Sequence, residues 1–149
     1  MEKFEKIFGI VAVVALIMKL ASLPGGAILM SSSFTGLACI YLIFGFAIFN
    51  DIKLENAFNS SSYSGISKLR ILGSIGVGLL LSIVCCGILM LMMEWPGGDF
   101  VTIYVKIFSI LGITLSSLAY SLGLKSSFYK AIFLRIVIVG CFGLVTFFV

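Results

Sequence analysis

Histidine is absent from this chain of 149 residues, proline occurs only twice, and charged residues make up only 11% of the sequence. Because histidine is the commonest metal ligand and the usual proton shuttle near neutral pH, its absence argues against both kinds of site. The four cysteines match no CxxC or Cys/His spacing, and they stand inside apolar runs: Cys39, Cys85, Cys86 and Cys141. We therefore expect them to pack as small apolar residues, and we predict no metal and no other cofactor.

Polar surface is also scarce, because 61% of the residues are hydrophobic and the mean hydropathy is +1.26. A soluble domain of this length needs far more polar surface. Apolar runs of about 17 to 24 residues recur along the chain, and about 20 residues let a helix cross the hydrocarbon core of a bilayer. The sequence therefore predicts an all-α integral membrane protein, with a single membrane domain over residues 1–149. Its five predicted transmembrane helices cover residues 7–23, 27–49, 71–93, 100–123 and 131–149.

The distribution of basic residues predicts the orientation in the membrane. The first apolar run follows a short charged segment, but it lacks a convincing small-residue cleavage site, so we interpret it as a retained helix rather than a signal peptide. By the positive-inside rule, the basic connections face the cytoplasm. The basic residues on that side are Lys3, Lys6, Lys53, Lys68, Arg70, Lys125 and Lys130. We expect a multi-pass protein of the bacterial inner membrane with a cytoplasmic N-terminus and a periplasmic C-terminus. The net charge of +4 forms no basic cluster, so nucleic-acid binding is not expected.

Both prolines lie in a Pro-Gly-Gly tripeptide at the end of an apolar run. The residues of the two turns are Pro24, Gly25 and Gly26 in the first copy, and Trp95, Pro96, Gly97 and Gly98 in the second. Proline suits a helix stop, and glycine permits a tight reversal with positive φ. Trp95 fits the aromatic belt at a membrane boundary, and the amine of Lys19 can extend to the headgroups. We interpret both copies as structural turns on the outer side.

Alignment of the two tripeptides predicts an internal repeat. Residues 7–49 and 71–123 each form a helical hairpin that starts inside, turns outside and returns. The hairpins are parallel repeats, joined by a cytoplasmic loop over residues 50–67 and followed by a C-terminal span over residues 131–149. The loop is rich in Ser and Asn, and we expect an interfacial turn around residues 52–58.

The turn segments resemble a hairpin motif of membrane proteins. "KLASLPGGAILM" from Lys19 and "MMEWPGGDF" up to Phe100 are similar to the pattern K-[IL]-x-H-W-P-G-A of small multi-span proteins of the Bacteroidota. The motif histidine is Ser22 in one copy and Glu94 in the other. The same pattern occurs in the transmembrane part of the gliding-motility L protein of the type IX secretion motor, where hairpin helices form an oligomer and intramembrane charge is linked to proton-driven rotation. The resemblance implies a similar hairpin.

Charges within or next to the spans are costly and are therefore candidate functional or pairing groups. They are Lys19, Glu94, Asp99, Lys106 and Arg135. Lys106 lies about 10 Å along its helix from Asp99, and we expect it to pair with Glu94 inside the bundle. Arg135 is expected to anchor to cytoplasmic headgroups or to pair with Asp51 or Glu55.

Small and hydroxyl residues inside the spans favour close helix packing. Ser74 with Gly78 and Gly112 with Ser116 have the four-residue spacing that lets helices approach closely, within the chain or in self-association. Hydroxyls also cluster in the second span, at Ser31, Ser32, Ser33 and Thr35. They either bond to neighbouring helices or line a small hydrated cavity.

The functional prediction is a non-enzymatic inner-membrane protein, an oligomeric or accessory subunit of a bacterial envelope complex. Ser–Lys pairs at helical spacing exist, but no oxyanion-hole segment accompanies them, so we predict no enzyme activity. The expected partners are membrane lipid and either another membrane protein or a second copy. One alternative is a small channel or transporter that uses Lys106, Glu94 and the second-span hydroxyls for an unspecified ion or solute. Another is an immunity or defence-system protein of the membrane.

Overall fold

A computed structural model describes residues 2–121 and 127–145 and folds them into five α-helices. The helices are α1 (Glu2–Leu20), α2 (Gly26–Ile48), α3 (Lys68–Met92), α4 (Gly98–Ser121) and α5 (Ser127–Val145). The described residues contain no strand, and the all-helical prediction is confirmed. Three of the helices, α2, α3 and α5, are long and apolar enough to cross a membrane. The predicted span ends at residues 123 and 149 lie outside the described residues.

The helices begin before the apolar runs that predicted them. α1 begins at Glu2 rather than residue 7, α3 at Lys68 rather than residue 71, and α5 at Ser127 rather than residue 131. Hydropathy marks only the stretch that suits hydrocarbon, whereas helix starts depend on capping. At α3, the Ser67 hydroxyl accepts a hydrogen bond from the backbone N–H of Arg70, 3.3 Å away. The polar first turn of α3 is therefore part of the helix although it lies outside the apolar run.

The two Pro-Gly-Gly turns have the same backbone geometry. In the first, Ser22 has a φ of 54° and Gly25 a φ of 85°; in the second, Glu94 has 55° and Gly97 has 86°. The preceding helix closes with a Schellman motif in both, because Leu23 N–H donates to Met18 O at 2.8 Å and Trp95 N–H to Met90 O at 3.0 Å. A type II turn follows, with Gly25 or Gly97 at the position that requires positive φ. The left-handed Ser22 and Glu94 were not predicted.

Gly26 and Gly98 begin the second helix of their hairpins, but they differ in the space around them. A Cβ atom on Gly26 would lie 2.8 Å from Lys19 N and 3.0 Å from Met18 C, whereas one on Gly98 would lie 3.5 Å from Met90 O. We expect Gly26→Ala to lower the free energy of unfolding by about 1–3 kcal/mol because α1 and α2 must separate. Gly98→Ala is the matched control and should change it by less than about 0.5 kcal/mol.

The measurement uses Cys85, which is fully buried in α3. In a background where the other three cysteines are alanine, the rate at which Cys85 reacts with a maleimide during a titration with denaturing detergent reports unfolding. If Gly26→Ala and Gly98→Ala changed the free energy of unfolding equally, the result would contradict the packing difference between the two turns.

The core lies between α2 and α3, which form the most extensive helix pair. The two backbones touch where Gly45 of α2 faces Gly78 of α3, since a Cβ on Gly78 would lie 2.6 Å from Tyr41 O. α1 packs on α2, while α4 and α5 pack on each other and on α3. Phe34 and Phe142 meet edge to face with ring centroids 5.7 Å apart, which brings α5 against α2. The predicted small pair Ser74 and Gly78 therefore serves packing within the chain.

The connection between α2 and α3 packs against the end of α2. It contains two short 3-10 turns, Leu54–Asn56 and Ser60–Tyr63, and the first lies inside the range predicted for an interfacial turn. The ring centroid of Phe58 lies 5.9 Å from that of Phe44. The Tyr63 hydroxyl donates to the carbonyl of Ala57 at 2.6 Å, and burial raises the pKa of Tyr63. The Phe58 side chain is nevertheless 75% exposed.

Candidate functional site: a buried polar cluster joining three helices

Three side chains from three different helices meet near one end of the bundle. Glu5 lies in the first turn of α1, Arg135 lies about two turns into α5, and Tyr41 lies about two turns before the end of α2. α1 and α5 begin at this end of the bundle, and α2 ends there. Glu5 and Tyr41 are almost fully enclosed, with exposed fractions of 8% and 4%.

Glu5 accepts hydrogen bonds on both carboxylate oxygens. Arg135 Nε donates to Glu5 Oε1 at 2.5 Å, and Arg135 Nη2 donates to Oε2 at 2.7 Å. The Tyr41 hydroxyl also donates to Oε1, at 2.9 Å. The remaining terminal nitrogen of Arg135 donates to the carbonyl of Ala131 at 3.1 Å. The guanidinium carbon lies 5.4 Å from the ring centroid of Phe49, at the end of α2.

This arrangement suits a structural role better than a chemical one. A bidentate arginine–carboxylate pair is among the stronger ion pairs in proteins, and here each charge compensates the other where water is largely excluded. The two side chains are only 12% and 10% exposed. Glu5 accepts three of the roughly four hydrogen bonds that a carboxylate can accept, so most of its acceptor capacity is used within the fold. The cluster joins α1 to α5 across 130 residues of sequence.

A second polar group links the end of α2 to the start of α3. Asn50 Nδ2 donates to the carbonyl of Phe46 at 2.7 Å and to Ser74 Oγ at 2.9 Å, and Ser74 Oγ donates to the carbonyl of Arg70 at 2.7 Å. Asn50 Oδ1 and Arg70 Nε are enclosed without a hydrogen-bond partner among the described residues. The guanidinium carbon of Arg70 lies 4.5 Å from the ring centroid of Phe128, at the start of α5.

The structure gives Arg135 a different partner from those predicted. Asp51 and Glu55 are both exposed in the connection after α2, whereas Glu5 lies on a helix that reaches Arg135 inside the bundle. The prediction that Arg135 pairs with Asp51 or Glu55, or anchors to headgroups, is therefore corrected to an ion pair with Glu5. The reason is the position of Arg135 along its helix. A side chain two turns into α5 is closer to the neighbouring helix α1 than to the connection that follows α2.

The other predicted charges are spread over the opposite part of the bundle. Lys106 is half-buried in α4, and Glu94 is exposed in the turn between α3 and α4. Their pairing stays a prediction. Lys19 is half-buried in the last turn of α1. Asp99 is the second residue of α4, but its side chain lies outside the described part of the structure. Among the described residues, the hydrogen bonds and the ion pair of Glu5 come from Arg135 and Tyr41.

Two of the four hydroxyls predicted to cluster in the second span bond within their own helix. Ser32 Oγ donates to the carbonyl of Leu29 at 3.0 Å, and Ser33 Oγ donates to that of Met30 at 3.2 Å. These bonds satisfy the hydroxyl donors without water or a neighbouring helix. They give no support to the hydrated cavity that was one of the two predictions for this cluster.

A cavity of about 220 Å³ lies between α3, α4 and α5. Its walls are apolar side chains such as Val77, Leu80, Phe108 and Ile136, with the single hydroxyl of Ser109 among them. An apolar lining of this kind accepts apolar groups more readily than polar ones. This space therefore suits hydrocarbon rather than water or ions.

Sequence reasoning missed Glu5, Tyr41 and Arg70 as members of polar clusters. A signal for Glu5 exists, because it shares a helix face with the buried Ala12 and Leu16 at spacings of seven and eleven residues. A charge in register with buried residues indicates a buried partner. No comparable pattern identifies Tyr41 or Arg70.

Comparison of the chain with protein-family models, with curated proteins and with solved structures found no match. The resemblance of the Pro-Gly-Gly turns to hairpins of Bacteroidota membrane proteins therefore stays a prediction from the sequence.

Proposed function

We propose that the protein is a multi-pass protein of the bacterial inner membrane in which all five helices cross the bilayer. Large apolar side chains point away from the bundle on α1 and α4 as well as on the three long apolar helices. Ile10 and Ile17 of α1 are 66% and 60% exposed, and Phe100 and Ile103 of α4 are 78% and 60% exposed. Exposure to water on this scale is unfavourable, and contact with lipid removes the cost.

The proposed orientation places the start of α1 and the connection between α2 and α3 in the cytoplasm. Exposed lysines lie at that end, at Lys3, Lys6, Lys53, Lys68 and Lys130. The two Pro-Gly-Gly turns then face the periplasm, and α5 ends on the periplasmic side. The matched geometry of the two turns supports the proposal that each hairpin is one copy of a repeat.

We further propose that the protein is a non-enzymatic subunit of an envelope complex, either as an oligomer or as an accessory component. The observation that carries this proposal is the closed Glu5–Arg135–Tyr41 cluster. Its charged groups satisfy one another inside the fold, so the cluster stabilises a bundle rather than presenting a reactive group. A stable, lipid-facing bundle is suited to scaffolding or to holding partner helices.

The test is the mass of the protein in its native assembly. The chain, tagged at its own chromosomal locus, would be extracted in mild detergent and its mass measured by light scattering with detergent correction. We expect a particle well above the 16.1 kDa of one chain, containing either further copies or a second membrane protein. An unrelated tagged multi-span protein purified in parallel is the control. A monodisperse single chain without partners would contradict the proposal.

A further inference from the structure

The two arginines of the bundle differ in how their charges are compensated. Arg135 is paired with Glu5, but the guanidinium of Arg70 forms no ion pair and no hydrogen bond with the described residues. Arg70 is nevertheless half-buried, and its Nε atom is enclosed. A half-buried cation without an anion is unfavourable. A negatively charged group from outside the chain would therefore stabilise the guanidinium of Arg70.

The side chain of Arg70 is held in place by a packing contact with α5. The Phe128 ring, itself only 8% exposed, lies 4.5 Å from the guanidinium carbon and fixes the orientation of the planar group. The contact brings the first turn of α3 beside the first turn of α5. Each member of this contact has an exposed lysine two residues away in sequence: Lys68 precedes Arg70 on α3, and Lys130 follows Phe128 on α5. The first turns of α3 and α5 therefore carry three cations between them, and the proposed embedding puts these turns near the cytoplasmic boundary of the bilayer.

We propose that Arg70, oriented by Phe128, binds the phosphate group of an anionic phospholipid in the leaflet at this end of the bundle. A phosphate monoanion matches the guanidinium fork in charge and geometry. Basic pockets between helices on the cytoplasmic side are where acidic headgroups bind in membrane proteins. The inference rests on the proposed embedding in a bilayer. Free phosphate offers the same chemistry, but it lacks the acyl chains that hold a lipid at this depth.

The test is native mass spectrometry of the detergent-purified protein at about 150 mM ionic strength, where exposed charges are screened. Phosphatidylglycerol and phosphatidylcholine are titrated separately, and inorganic phosphate at millimolar concentration is a third arm. We expect the wild type to bind phosphatidylglycerol about tenfold more tightly than phosphatidylcholine, and Arg70→Gln to lose about tenfold of that affinity. Phe128→Leu keeps every charge and should lose about threefold. Lys53→Gln, an exposed lysine at the same end, should stay within about twofold.

The proposal is overturned if Arg70→Gln binds phosphatidylglycerol like the wild type, or if Lys53→Gln loses as much affinity as Arg70→Gln. It is also overturned if inorganic phosphate displaces the lipid completely, which would identify free phosphate as the ligand. If Arg70→Gln does not fold, Phe128→Leu and Arg70→Lys provide the test, because both variants retain the positive charge at position 70 or leave it unchanged. Wild-type affinity for phosphatidylglycerol in both variants would overturn the proposal that Phe128 and the guanidinium form a specific site. Extraction of the wild type from membranes by alkaline carbonate would refute the embedding itself, independently of lipid preference.

Discussion

Gly78→Ala is expected to lower the free energy of unfolding by about 2–3 kcal/mol, since overpacking at a close helix contact forces backbone shifts. A Cβ atom at this position would lie 2.6 Å from Tyr41 O and 3.1 Å from Gly45 Cα, so α2 and α3 would have to separate along the main contact of the fold. The neighbouring atoms belong to the backbone, so no side-chain rotation can relieve the clash. The detergent titration with Cys85 labelling measures the effect.

Gly76→Ala is the matched control, on the same helix and half a turn away. Gly76 is exposed, and a Cβ atom there would meet nothing within 4 Å. We expect Gly76→Ala to leave the free energy of unfolding unchanged or to raise it by up to about 1 kcal/mol, because alanine has the better helix propensity. Similar losses for the two variants would mean that glycine is needed along α3 for its flexibility, and not at Gly78 for the approach of α2.

Breaking the ion pair between α1 and α5 is expected to have the largest effect. Glu5→Gln or Arg135→Met should each lower the free energy of unfolding by about 3 kcal/mol, because each leaves a charge of the opposite sign enclosed without its partner. Gln keeps the size of Glu, and Met keeps much of the stem of Arg. The Cys85 labelling rate during the detergent titration again provides the measurement.

A double variant separates the interaction from the loss of packing. We expect Glu5→Gln with Arg135→Met to cost less than the sum of the single changes by at least about 2 kcal/mol, because no unpaired charge remains. The control is Glu55→Gln with Lys130→Met, two exposed charges whose removal should change stability by less than about 0.5 kcal/mol. Additive losses at Glu5 and Arg135 would show that the pair contributes no specific stabilisation.

Much of the fold could be predicted because it follows from local properties of the chain. Long apolar runs identify the helices, and the two Pro-Gly-Gly tripeptides mark where two of them reverse. The left-handed conformation of Ser22 and Glu94, which precede the prolines, was harder to predict, because these residues are not glycines and their types do not indicate positive φ. They adopt it because the N–H groups of Leu23 and Trp95 reach back to close the helix, a bond that outweighs the cost of the conformation.

The candidate site was predicted only in part. Arg135 was recognised as a charge in need of a partner, since an ionisable residue in an apolar helix is costly wherever it lies. Its partner was sought among the nearest acidic loop residues, and Glu5 was overlooked because it lies 130 residues away in sequence. Arg70 was assigned only to the cytoplasmic surface. Its enclosure depends on Phe128, whose position is set by how α5 packs against α3.

The sequence by itself determined the helical class, the number of helices and the two glycine turns, because hydropathy and backbone freedom are properties of short segments. Only the tertiary structure decided that Gly78 faces Gly45, that Glu5 neutralises Arg135, and that Arg70 lies over Phe128 without a carboxylate. The physical reason is that the apolar surfaces of these helices are nearly equivalent in sequence. Close fit and the pairing of charges select which surfaces meet, and both depend on residues far apart in the chain.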